Sequence, residues 1–487
     1  MSRLKSVLDG WRTFSVGPSL LLLVCAVLTG ASSGQTFTKL VDFNGANGAL
    51  PYYMSLQQGT DGNLYGTASQ GGASGNGTVF KITANGSLTT VHSFDGSGDG
   101  SFPTDTLIQA SNGNFYGTTN GAGLGGGGTV FKVSSAGKLT TLYSFLCDQT
   151  SCPAGGVLWA GLVQGRDGNF YGDTNEGGPK GGGTLFKITP TGTLTTLHSF
   201  CSLTNCVDGR NPSTALVQGK DGNFYGTAAG GSNNFGLVFK LTPAGTLTTI
   251  YNLQATDGQG IFGALIQATN GLFYGTAEAR GTTDNGTVFK VTAGGQYATL
   301  YSFCIKTNCS DGSSPEGSLV QASDGNFYGT TEFGGTTEFG GSFGSGTVFK
   351  LTPAGVLTTL HNFCAEANCT DGSRPYGGLV QDTNGKFYGT TNAGGTSNEG
   401  TLFSLDVGLA PFVESRPTSG KVGARIIILG TNLTGTTSVS FNGTPATFTV
   451  VSGSELTATV PNGATSGKIT VTTPDGSLLS NVAFHIL

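Results

Sequence analysis

Along roughly the first four hundred residues, apolar positions come in short bursts that never run long enough for a helix. Each burst is about four to six residues, rich in β-branched and aromatic side chains and bounded by Gly, Pro, Asn or Asp, which is the patterning of strands and turns. In one stretch four of them follow in order: A-L-V-Q at 215–218, N-F-Y-G-T at 223–227, L-V-F-K-L at 237–241 and L-T-T-I-Y at 247–251. G-K-D-G-N and T-P-A-G-T join the outer pairs and are compact enough for hairpins, with Asp-Gly and Ala-Gly supplying positive-φ positions. The other two connections are longer and irregular. The pattern predicts four antiparallel strands per unit.

The unit recurs seven times, marked by D-G-N-F-Y-G-T and its variants. The motif tyrosines are Tyr65, Tyr116, Tyr171, Tyr225, Tyr274, Tyr328 and Tyr388, separated by 49 to 60 residues, a period suited to four-stranded blades. Tight hairpins belong inside a blade and the long connection between blades, so each blade begins at L-V-Q and ends at L-H-S-F. On this phasing residues 37–43 (F-T-K-L-V-D-F) are the last strand of a blade, while the seventh unit stops after 400–405 and lacks that strand. Pairing of the two is predicted, which closes the ring and removes an exposed edge. The expected fold is all-β: a seven-bladed β-propeller over 36–406, closed by an N-terminal strand. Both faces of a blade meet another blade, so clean polar alternation is not expected. Gly226 leaves space for a neighbouring ring. Seven glutamines, Gln58, Gln109, Gln164, Gln218, Gln267, Gln321 and Gln381, recur beside a hairpin and are read as binding turn backbone, in preference to lining a channel.

Residues 1–34 follow another grammar. Arg3, Lys5 and Arg12 precede the apolar run Leu20–Leu28 and then small residues, which reads as a secretory signal peptide. The run is too short for a retained membrane anchor, and Val24 before Cys25 argues against lipidation. The other eight cysteines form four equally spaced pairs: Cys147/Cys152, Cys201/Cys206, Cys304/Cys309 and Cys364/Cys369. Their C-x4-C spacing, a blade apart and without histidine in the loop, favours disulfides over zinc. Each ring is small, so each contributes only about 2 kcal/mol and pins a loop. Charged residues are 10% of the chain and the net charge is −5, which excludes a basic stripe for nucleic acid or anionic membrane. The expected location is secreted, cell-surface or periplasmic, with no membrane span after signal removal.

After Val407 the vocabulary changes. Short strands with Gly/Asn turns predict a small β-sandwich over 410–487. Through Pro417, Gly420, Gly423, Gly430, Asn432–Leu433, Phe441–Gly443 and Val460–Pro461 this segment resembles the IPT/TIG immunoglobulin-like domains. That resemblance implies a spacer, adhesion or interaction module; the basic loops of a DNA-binding version are absent. The preceding repeats, through D-G-N-F-Y-G-T, G-G-x-x-x-x-G-T-V-F-K and L-T-T-L-H-S-F, resemble the GloVer-type tandem repeat of exported, choice-of-anchor-like bacterial proteins. The resemblance implies architecture and export and no particular activity; surface retention gets no support from the ending F-H-I-L.

Candidate chemistry is sparse. His92, His198 and His361 occupy a slot that other repeats fill with Tyr143, Tyr251 and Tyr301, so they read as structural, and His485 lies near the end. No nucleophile elbow, P-loop or zinc cluster occurs, so no catalytic residue and no cofactor is assigned. Calcium has one candidate, D-G-S-G-D-G at 95–100 (Asp95, Asp99), which lacks a closing glutamate. Loop carboxylates Asp173, Glu176, Glu278, Glu332 and Glu338 read as solvated, or alternatively as a general acid and base. T-T-E-F-G-G at 330–335 is duplicated at 336–341, exposing Phe333, Phe339 and Phe343 as a contact surface or as tolerated slack. Crossing loops and second-to-third-strand loops emerge on one face, with the disulfides and the aromatics Trp159, Phe102, Phe262, Phe333 and Tyr376. Binding residues concentrate on such loops. The expectation is an exported scaffold or binding protein recognising extracellular polysaccharide or a protein partner there; the alternative is a glycosidase or lyase using loop carboxylates.

Overall fold

The computed structural model describes residues 34–147, 152–336 and 344–487. The signal segment therefore lies outside the described residues, as do Glu338, Phe339 and Phe343. Among the described residues seven antiparallel sheets precede the C-terminal sandwich. Blade 4 has the common plan: Val217–Gln218, Phe224–Ala228, Leu237–Leu241 and Leu247–Asn252 in consecutive order. The motif strand is fully buried because both its faces are covered, and the outermost strand is mostly half-exposed. Gly226 has an ordinary φ, yet a Cβ there would lie 2.7 Å from both Leu216 and Phe239; it is a steric slot for neighbouring apolar groups.

Two sets of contacts join the blades. Six of the seven motif tyrosines pack on the motif phenylalanine of the next blade, from Tyr65–Phe115 at 3.9 Å to Tyr328–Phe387 at 4.2 Å. Such pairs add about 0.5–1.5 kcal/mol beyond area burial. Blade 1 carries Leu64 at the phenylalanine position, and Tyr388 joins Leu64 in one apolar cluster. The second set is made by the glutamines. Each Oε1 accepts from a backbone N–H of the preceding blade's hairpin: Thr60 to Gln109, Ser111 to Gln164, Arg166 to Gln218, Lys220 to Gln267, Thr269 to Gln321 and Ser323 to Gln381. Thr383 donates to Gln58 at 3.3 Å and completes the circle. The amides of six of them donate to the carbonyl of their own turn glycine, as Gln218 does to Gly222.

The seam of the ring joins distant parts of the chain. Thr36–Asp42 pairs antiparallel with Thr401–Asp406 as the outer strand of blade 7, one residue earlier than the sequence pattern predicts. N- and C-terminal portions of the repeat region thus share one sheet, and the ring has no free edge at its seam.

Around the cysteines the structure meets the sequence pattern and adds to it. All four pairs join as their spacing predicts: Cys147 to Cys152, Cys201 to Cys206, Cys304 to Cys309 and Cys364 to Cys369. Within the long crossings, the second cysteine of three pairs sits in a local element that the spacing does not reveal. Cys206, Cys309 and Cys369 end single 3-10 turns, Thr204–Cys206, Thr307–Cys309 and Ala367–Cys369, with left-handed φ of 52°, 50° and 52°. Cys152 ends no such turn among the described residues. Its carbonyl nevertheless accepts from the N–H of Gly155, as Cys206 accepts from Gly209, Cys309 from Gly312 and Cys369 from Gly372. Backbone hydrogen bonds, which no spacing of cysteines reveals, therefore complete each reversal that the bridge begins.

Residues from Glu414 onward form two four-stranded sheets and a short parallel pair. Their facing sides bury Ile426, Ile428, Val439, Phe441, Leu456 and Val471, the inward residues of alternating strands. This sandwich lies on the hairpin side of the propeller. Arg416 donates to the Gln58 carbonyl, Ser454 to that of Thr60 and the Phe412 N–H to that of Thr383. Thr418 and Ser419 line clefts with the hairpins of blades 2 to 5, so that side of the ring is largely covered.

Candidate functional site

The opposite side is built from the segments that cross between blades. At one equivalent place in every crossing a residue takes a left-handed φ: Leu50 at 49°, Phe102 at 54°, Val157 at 57°, Asn211 at 48°, Gly260 at 71°, Ser314 at 53° and Arg374 at 54°. The turn sets the next-but-one residue at the same place in every blade, on the approach to the mouth of the ring. Those residues are Tyr52, Thr104, Trp159, Ser213, Phe262, Glu316 and Tyr376. Blade 1 has one residue more than the others before its first strand, accommodated by a φ of 53° at Tyr53, a conformation that costs a bulky residue roughly 1–2 kcal/mol. The result is a second tyrosine at the mouth.

Rings from blades 1, 3, 5 and 7 therefore meet. Tyr52 lies 4.9 Å from Tyr376 and 6.4 Å from Trp159, and Tyr53 stacks on Phe262 at 5.6 Å. Tyr52, Tyr53, Trp159, Asn175, Ser213 and Phe262 line a cavity of about 270 Å³. A neighbouring cavity of about 490 Å³ shares Asn175, Ser213 and Phe262 and reaches Arg210 and Glu278. Of the five aromatics singled out from sequence, the fold brings together Trp159, Phe262 and Tyr376. Phe102 is 41% exposed before Pro103 and, among the described residues, has no ring partner; Phe333 is half-buried under the Arg374 guanidinium at 5.4 Å.

The blade 5 and 6 side of the mouth is acidic. Glu278 and Glu332 occupy one slot, four residues after their motif tyrosines, where other blades place Ser69, Asn120, Asn175, Ala229 and Asn392. Glu316 enters from the crossing into blade 6. Glu316 and Glu332 are only 4% and 5% exposed, and Glu316 Oε2 has no hydrogen-bond partner. The Tyr376 hydroxyl donates to Glu332 Oε1 at 2.5 Å. Burial, with Glu332 and Glu278 nearby, pushes the Glu316 carboxyl up to about 9. Burial and Glu332 likewise raise Glu278, and burial followed by the Glu332 bond raises the Tyr376 hydroxyl. Tyr52, Tyr53 and Glu316 escaped the sequence reading. The signal was the position after the crossing proline, visible once the repeats are aligned on Pro51, Pro103, Pro212, Pro315 and Pro375.

The expectation of solvated loop carboxylates holds for Glu176, which is exposed, and fails for Asp173 and Glu332, which the neighbouring blade buries. Neither Asp173 nor Glu176 belongs to the acidic trio. In D-G-S-G-D-G the oxygens serve the loop itself: Asp99 accepts from the Asp95 N–H and contacts His92, and Asp95 accepts from Ser97. Among the described residues no group of three or more His, Cys, Asp or Glu side chains is arranged to hold a metal. Disulfides such as Cys147–Cys152, Cys201–Cys206, Cys304–Cys309 and Cys364–Cys369 persist in oxidising surroundings, which makes the chain extracellular or periplasmic. No helix among the described residues is long and apolar enough to cross a membrane.

No curated protein matches the chain. Among solved structures, a streptogramin B lyase is 15% identical, with 77% of this chain and 99% of that one aligned at a TM-score of 0.49. The virginiamycin B lyase of Staphylococcus aureus is 13% identical over 76% and 98%, with a TM-score of 0.47. The extracellular domain of a hybrid two-component system from B. thetaiotaomicron is 11% identical over 92% and 57%, with a TM-score of 0.48. The IPT/TIG domain model matches residues 413–486. With the repeat model matched over 26–214 and 160–340, seven sheets tied in a circle and a sandwich on their hairpin side, the chain belongs to the Gloeobacter/Verrucomicrobia repeat family and carries a C-terminal IPT/TIG domain.

Proposed function

We propose that this protein is an exported binding scaffold whose crossing-loop side takes an extracellular saccharide at the mouth of the propeller. The single observation that carries the reading is the meeting of Tyr52, Tyr53, Trp159, Phe262 and Tyr376 from four separate blades around one concavity. Aromatic faces stack on the apolar C–H faces of pyranose rings, while Asn175, Ser213 and the carboxylates offer partners for hydroxyls. A flat protein contact does not need such a pocket, which favours the saccharide over a protein partner. The sandwich on the far side leaves the mouth open and serves as spacer.

Affinity electrophoresis of the full chain through gels containing soluble polysaccharides tests this. One or more polysaccharides should retard the protein, and Trp159→Ala or Tyr376→Ala should weaken retention by about tenfold or more, the cost of one stacking platform. Retention unchanged in both variants, or absent for every polysaccharide, would overturn the proposal. A second reading, turnover by the loop carboxylates, is favoured by one observation: Glu316 is buried with Oε2 unpartnered near two further carboxyl groups, surroundings that favour the protonated form a general acid needs. New reducing ends or unsaturated products that vanish in Glu316→Gln would establish it.

A further inference from the structure

The mouth combines two features that a neutral sugar site does not require together. We infer that it recognises an organic ammonium group, carried on the proposed glycan by an amino sugar; the carrier rests on the saccharide reading, the charged group does not. Three carboxyl groups, Glu278, Glu316 and Glu332, face one side of the mouth, and among the described residues none of them is in an ion pair. Arg210, which lines the neighbouring cavity, is exposed and donates to Asn234, the Arg374 guanidinium lies over the Phe333 ring, and the field felt by Glu316 comes from the other two glutamates. Glu316 is 4% exposed and keeps Oε2 without a hydrogen-bond partner, beside Tyr53 and Glu332. A buried acceptor without a donor is costly, and an entering N–H donor relieves that cost.

The aromatic half points the same way. Ring faces present negative quadrupole, so cations are drawn over them, and the attraction grows when water is excluded. Aromatics around an ammonium with carboxylates behind them form the arrangement by which quaternary and primary ammonium ligands are held. Here Tyr52, Tyr53, Phe262 and Tyr376 stand beside the glutamates: the Tyr376 hydroxyl is bonded to Glu332, and the field of Glu316 acts on both Tyr52 and Tyr53. An ammonium seated there would be a counter-charge for the trio and would favour release of the proton that burial and the neighbouring carboxyl groups keep on Glu316, whereas an N-acetyl group in its place brings neither charge nor the donors to satisfy the carboxylates.

Isothermal titration of the full chain at about pH 6, where a sugar amine is protonated, decides the matter with four probes: the tetramers of glucosamine, N-acetylglucosamine and glucose, and benzyltrimethylammonium. The glucosamine tetramer should bind at least about tenfold tighter than the other two sugars, a preference of the size of one desolvated cation–π contact with its counter-charge. Glu316→Gln and Glu332→Gln, each checked for an unchanged unfolding transition, should abolish that preference, so that within each variant the glucosamine tetramer binds no tighter than the glucose tetramer. Equal binding of all three tetramers would overturn the ammonium inference and leave the saccharide reading standing. Glutamate-dependent binding of benzyltrimethylammonium with no saccharide bound would do the reverse, and silence from all four probes would overturn both.

Discussion

Asp173 breaks a rule that its counterparts keep. Two residues after the motif tyrosine the other blades carry threonine, and Thr67, Thr118, Thr276 and Thr330 donate to a carbonyl of the following blade. Asp173 is 1% exposed with both oxygens unpartnered, and burial with Asp105 nearby holds its carboxyl well above the usual range. A group that keeps its proton better folded than unfolded contributes fully in acid, below its ordinary value near 3.8, and loses that contribution as pH rises toward its folded value. Asp173→Thr should therefore stabilise the protein by about 1–3 kcal/mol near neutrality and by less near pH 4. Denaturant midpoints at the two pH values check both size and direction. That Asp173 stands in a threonine slot was legible from the repeats. Its burial was not, because a loop-flanking carboxylate looks solvated until the next blade is placed against it.

At the scale of the element, the alternation of His and Tyr in the outer strand has a common cause. Tyr251 and Tyr301 donate to Asp257 and Asp311, and His92, His198 and His361 contact Asp99, Asp208 and Asp371. In the disulfide loops that aspartate also collects backbone N–H groups, as Asp371 does from Ala365 and Glu366. The strand thus clamps the loop through any ring that reaches the loop's buried or half-buried carboxylate. His361→Tyr should change stability by no more than about 1 kcal/mol. Asp371→Ala should cost about 1–3 kcal/mol and speed hydrogen exchange at Ala365 and Glu366, since it removes the buried acceptor that holds both N–H groups. The His/Tyr slot was readable as structural from its recurrence alone; its aspartate partner was not, because the two are brought together by a crossing whose path no local pattern encodes.

At the scale of the whole molecule, the ring depends on a strand from the far end of the chain. Removing residues 35–42 leaves Thr401–Asp406 as an unpaired edge and takes Phe37 from its packing on His361 and Phe403. The shortened protein should aggregate and lose its single cooperative transition, and a synthetic peptide of that strand added during refolding should restore both by strand addition. Size-exclusion elution and thermal unfolding, with and without peptide, measure it. The seven units, their phasing, the closing strand and the cysteine pairs were all determined by the sequence, because strand period, turn residues and loop length are local and repeat seven times. Which residues meet at the mouth was decided only by tertiary structure. Tyr52, Trp159, Phe262, Glu316 and Tyr376 lie dozens to hundreds of residues apart, at a place that the repeats leave variable. Closing the ring converts a spacing along the chain into an angle about an axis, and only then do those residues face one another.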